Sequence, residues 1–166
     1  MNQNKEDHPT QQQSLTEMVA NAYLNDGFLY CVTTMDSRFW KLGKTQMLQS
    51  QDKDKVLSSI LNRYSTYYPN CSIVHAIRVG NYHEAEKVLF EVLQDIHYDR
   101  EFFWGDPHKI RQAFAHVSQR FPHLGDLLPL MSPEEKTDLN RTIRALDITR
   151  TKSSKTTVRY SDFVGV

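Results

Sequence analysis

The chain has little of what would tie it to a scaffold other than a hydrophobic core. It has two cysteines, Cys31 and Cys71, too few for a disulfide framework or a cysteine-based zinc site. A reducing compartment is expected from that shortage. No apolar run approaches the length needed to span a bilayer, and Met1-Asn2-Gln3-Asn4-Lys5 opens no signal peptide, so the expectation is a soluble intracellular protein without membrane association. Formal net charge is zero, with 20 basic and 20 acidic residues. Any nucleic-acid affinity must therefore come from local clustering rather than bulk charge.

What is present fits one globular domain with an appendage: 166 residues, 39% hydrophobic and 24% charged. Residues 1–13 are polar, include Gln11-Gln12-Gln13, and read as a tail. Ser14 and Glu17 form a capping-box pattern that opens an N-terminal helix over 14–25. Phe28–Thr34 and Phe39–Thr45, rich in aromatic and β-branched residues, read as a β-hairpin around Met35-Asp36-Ser37-Arg38. A helix is predicted from about Asp54 to Tyr67, stopped by Pro69. Ser72–Val79 follows as a third strand. Ala85, Val88, Leu89, Val92, Leu93 and Ile96 mark one face of a helix over 82–96. Glu101-Phe102-Phe103-Trp104 is a short apolar burst. Asp106-Pro107 opens a helix to about Arg120, and Ser132-Pro133-Glu134-Glu135 opens another through about Leu146, with 147–166 extended or loose.

The predicted fold class is thus α+β: a small three-stranded antiparallel β-sheet flanked by helices, with an N-terminal helix and a C-terminal helical extension. The domain reading is a tail at 1–13, a helix at 14–25, a central domain at 26–120 and a basic helical extension at 121–166.

Specific residues sit on that pattern. Gly27-Phe28-Leu29-Tyr30 resembles the first half-motif of the GIY-YIG nuclease superfamily. Eleven positions later Lys41-Leu42-Gly43 resembles the second, with lysine replacing its tyrosine, and Lys41–Thr45 is similar to the "KIGKT" variant found in phages and large DNA viruses. Arg63, Glu86 and the Glu101-Phe102-Phe103 string match later elements of that family, so the resemblance spans about 26–117. Phe90 departs from it, standing where this variant commonly has histidine.

The resemblance implies a phosphodiester hydrolase acting on DNA, with Mg2+ or Mn2+ as cofactor. Tyr30, Lys41 and Arg63 take the catalytic positions, Tyr67 an auxiliary one, and Glu86 the metal position. The chemistry is consistent with those residue types. Attack on a phosphate builds negative charge that Arg63 and a divalent cation would stabilise. Glu86 supplies a hard oxygen ligand. Arg63 shares a helical stripe with Val56, Ile60 and Tyr67, which predicts that it faces a pocket. Lys44 and the C-terminal Arg141, Arg144, Arg150, Lys152 and Lys155 are candidate contacts to the DNA backbone. A catalytically silent DNA-binding or protein-interaction module is the alternative, and a protein partner or self-association is compatible with the absence of bulk positive charge.

Overall fold

The computed structural model describes residues 14–47 and 51–151. The chain runs α1 (Leu15–Leu24), β1 (Gly27–Thr33), β2 (Phe39–Gln46), α2 (Lys53–Ser65), β3 (Ile73–Val79), α3 (Tyr82–Val92), β4 (His97–Asp99), β5 (Phe102–Trp104), α4 (Pro107–Arg120), α5 (Leu124–Leu127) and α6 (Pro133–Thr151). Local chemistry sets several boundaries. Ser14 caps α1 by accepting the Glu17 N–H, Asp52 caps α2 through the N–H groups of Asp54 and Lys55, and Asp106 with Pro107 opens α4.

The small three-stranded sheet expected from the sequence is overturned. The sheet has five antiparallel strands in the order β3-β1-β2-β5-β4, with six α-helices among the described residues. The added strands are three residues each, too short for an alternating pattern to be legible, and Arg100 turns between them at a φ of 50°. They exist because the outer edge of β2 at Phe39–Lys41 pairs with Phe102–Trp104, which converts the apolar burst into sheet. The last helix also extends beyond Leu146 to Thr151. No proline or glycine stands after Pro133 to stop it within that span.

The pleat separates two faces. Leu29, Cys31, Leu42 and Phe103 turn into the main core under α3 and α4, packed against Leu89, Ile110 and Phe114. Tyr30 and Val32 turn the other way, under Ile60 of α2. A second helical core joins α1 to α5 and α6 through Val19, Tyr23, Leu127, Leu139 and Ile143. The two layers meet where backbone approaches closely: a Cβ at Gly80 would stand 2.4 Å from the Pro122 carbonyl and 2.9 Å from the Ala22 methyl. Asp26, 1% exposed, holds the entry to β1 by accepting a forked pair of N–H groups from Arg78 of β3, the shortest contact being 2.5 Å. No helix among the described residues is long and apolar enough to cross a membrane.

Candidate functional site

Directly opposed residues on antiparallel strands project to the same face. Tyr30 is paired with Gly43 and Val32 with Lys41, so Tyr30 and Lys41 share the face covered by α2. The Tyr30 ring lies over Gly43, where any side chain would collide with it. Its hydroxyl is 2.9 Å from that of Tyr64, and the two rings lie 5.9 Å apart. Lys41 Nζ stands 5.0 Å from the Tyr64 ring centroid, and Arg63 Cζ stands 5.5 Å from the same ring. Three of the residues singled out by motif therefore converge on Tyr64, which was not among them.

Electrostatics define what each group can do. Burial, with the Tyr64 hydrogen bond and the nearby Glu101 adding to it, pushes the Tyr30 phenol well above its ordinary range; Arg63 opposes this without winning. Tyr30 is held neutral. For Lys41, burial pulls the pKa down, but the 2.9 Å pair with Glu101 and the neighbouring Tyr64 and Tyr68 outweigh it, so the net shift is upward. Lys41 is a fixed cation. Arg63 is exposed and, among the described residues, its guanidinium has no carboxylate partner. It borders a groove of about 400 Å3 whose lining includes Thr45, Gln46, Lys55 and Ser59.

The remaining sequence candidates lie elsewhere. Lys44, opposed to Leu29, projects to the α3 face, where its Nζ meets Glu86 Oε1 at 2.9 Å. Glu86 thus faces the other side of β2 from Tyr30 and Lys41. Pairing of β2 with β5 stops at Lys41, so the edge from Gly43 to Gln46 has no further strand beside it among the described residues. Tyr67 lies in the turn after α2, 71% exposed, and does not reach the cluster. Arg141 is exposed and 3.9 Å from Asp138, and Arg144 is exposed on the same helix. Arg150 falls on the last turn of α6; Lys152 and Lys155 lie outside the described residues.

The stripe containing Arg63 differs from the expected one. The apolar face of α2 is Val56, Leu57, Ile60 and Tyr64, and Arg63 stands at its rim. Spacing of i, i+4 through Val56, Ile60, Tyr64 and Tyr68 was the available signal for Tyr64. For Glu101, the signal was its place beside the strand that pairs with Lys41.

The donor set bears on the expected Mg2+ or Mn2+. No group of three or more His, Cys, Asp or Glu residues placed to hold an ion is found among the described residues. Glu86 offers one carboxylate, 19% exposed, with Lys44 on one oxygen. Such a donor suits a divalent ion that keeps most of its waters and not one enclosed by protein ligands. No protein-family model, curated protein or solved structure matches the chain.

Proposed function

We propose that the chain is a GIY-YIG-type endonuclease that hydrolyses DNA phosphodiesters with the help of Mg2+ or Mn2+. The observation that carries this reading is the convergence of Tyr30, Lys41 and Arg63 on Tyr64, from two strands and a helix, beside an open strand edge.

The division of labour follows from charge and exposure. Arg63, without a carboxylate partner among the described residues, meets the equatorial oxygens of the scissile phosphate as charge builds there. Lys41 adds a fixed positive charge on the same face. The Tyr30–Tyr64 hydroxyl pair orients the attacking water; because Tyr30 is held neutral and buried, it acts through Tyr64 and does not remove the proton itself. Glu86 would hold the divalent ion, whose contribution when bound is to polarise the phosphate. A phosphate that reaches both Arg63 and Glu86 lies across the β2 edge at Gly43–Thr45.

The burial of Tyr30, 2% exposed, favours a second reading: a catalytically silent copy that retains DNA binding. Supercoiled plasmid incubated with Mg2+ or Mn2+ separates the two. The enzyme reading expects nicking that disappears in both Arg63→Ala and Glu86→Ala. No nicking by the parent chain on duplex, single-stranded or branched DNA sinks it and leaves the silent module.

A further inference from the structure

Beyond Lys41 the same face of the sheet carries a cluster of aromatic rings, of which Tyr98 and Trp104 are exposed and Phe39 and Phe102 partly so. Phe39 stands two positions before Lys41 on β2 and therefore projects to the same side. Trp104 is opposed to Phe39, and Phe102 to Lys41. The Tyr98 ring of β4 closes the group, 4.3 Å from Phe39 and 5.8 Å from Trp104, with Phe39 and Trp104 4.7 Å apart. Tyr98 is 59% exposed and Trp104 45%.

The geometry points to a stacking platform for unpaired nucleotides, formed by Phe39, Tyr98 and Trp104 and continuous with the Lys41–Tyr64–Arg63 cluster. This inference rests on the nuclease reading and specifies its substrate: DNA with a single-stranded stretch beside the cleavage point. Three features favour bases over a protein partner. The patch is built of rings rather than aliphatic chains, and rings offer flat π-faces to any base regardless of sequence. Cations flank it along the line a phosphate backbone would follow: Arg38 lies 5.5 Å over the Phe39 ring, Lys41 lies 5.6 Å from the Phe102 ring, and Arg63 stands beyond. Arg100, at the turn between β4 and β5, is exposed and has no carboxylate partner among the described residues. Asp36 holds Arg38 and Glu101 holds Lys41, so of these four cations Arg63 and Arg100 are the ones left for the backbone among the described residues.

The platform is tested by binding without cleavage, on the full chain in EDTA. The chain has two tryptophans; Trp40 projects to the opposite, α3 face, half-buried, so Trp104 reports on the platform. A short oligothymidylate is expected to quench tryptophan fluorescence and to bind at least about tenfold more tightly than a duplex of equal length. Tyr98→Ala should weaken single-strand binding by about tenfold, Tyr98→Phe should restore it, and Trp104→Leu should remove the quench. Unchanged circular dichroism guards against misfolding, and the ring-retaining variant guards against a merely structural effect. Equal affinity for duplex and single strand overturns the platform, as does a Tyr98→Ala variant that binds like the parent. Self-association through these rings that oligothymidylate does not compete with also overturns it. A parent chain that nicks no DNA with Mg2+ or Mn2+ and yet shows the quench in EDTA loses the nuclease reading and keeps the platform. Loss of the nuclease reading and loss of the platform are therefore separate results.

Discussion

A Cβ placed on Gly43 would stand 2.5 Å from both Cζ and the hydroxyl oxygen of Tyr30. The glycine of the KLG string is thus required by the tyrosine of the facing strand, not by a turn. Tyr30 is buried and its hydroxyl is bonded to Tyr64, so moving the ring disturbs its packing and that bond. Gly43→Ala is expected to destabilise the chain by about 1–3 kcal/mol and to displace the Tyr30–Tyr64 pair. Denaturant unfolding reads the first effect and nicking the second. Parental stability in Gly43→Ala would show that the ring is not held there.

Tyr64 and Tyr67 make opposite predictions on neighbouring turns. Tyr64→Phe removes the hydroxyl bonded to Tyr30 and should reduce nicking at least about tenfold, with about 0.5–1.5 kcal/mol lost in stability. Tyr67→Ala should leave nicking within about twofold, because the side chain is largely in solvent and touches none of the cluster. Single-turnover nicking rates of the two variants check the pair; a reversal would move the site to the other side of the turn.

Two buried acids predict loss of stability in alkali. Burial pushes the Cys31 thiol from 9.0 up to about 12, and the Tyr30 phenol rises from 10.0. Both folded-state values lie above the unfolded ones, so the stabilising effect is complete below pH 9. Above it the unfolded chain gives up protons that the folded chain keeps, and stability falls as pH rises. Unfolding free energy measured from pH 8 to 11 should decline from about pH 9, and the decline should be shallower in Cys31→Ala. A flat profile contradicts both shifts.

Asp26→Asn tests the clamp between β1 and β3. The carboxylate is buried, but 27% of the Arg78 side chain is exposed and can recover some hydration. The expected cost is about 2 kcal/mol, below that of breaking a fully buried pair. Thermal unfolding measures it; a change under about 0.5 kcal/mol would mean the pair contributes little net stability.

Much of the frame was legible because its signals are local. The capping chemistry of Ser14 and Asp106, the proline after α2 and the apolar periodicity of α3 act within a few residues, and the hairpin, β3 and the start of α3 stand where those signals place them, although α3 ends at Val92, short of the expected Ile96. β4 and β5 were not legible, since strands of three residues are defined by the partner they find and not by their own pattern. The site divides the same way. Motif spacing singled out Tyr30 and Lys41 as candidates, but Tyr64 is marked by which face of α2 turns inward, a tertiary choice. The separation of Glu86 from Tyr30 by the sheet depends on strand register, which a one-residue slip would invert.

The helical core that joins α1 to α5 and α6 has a consequence for biosynthesis. The apolar stripe of α1 is made early, yet the residues that cover it, Leu127, Leu139 and Ile143, leave the ribosome after every strand of the sheet. Until then α1 carries an uncovered hydrophobic surface, the kind of segment that chaperones hold and that aggregates when translation stalls. A nascent chain halted before α6 should therefore be more prone to aggregation than the finished one, even with its sheet complete.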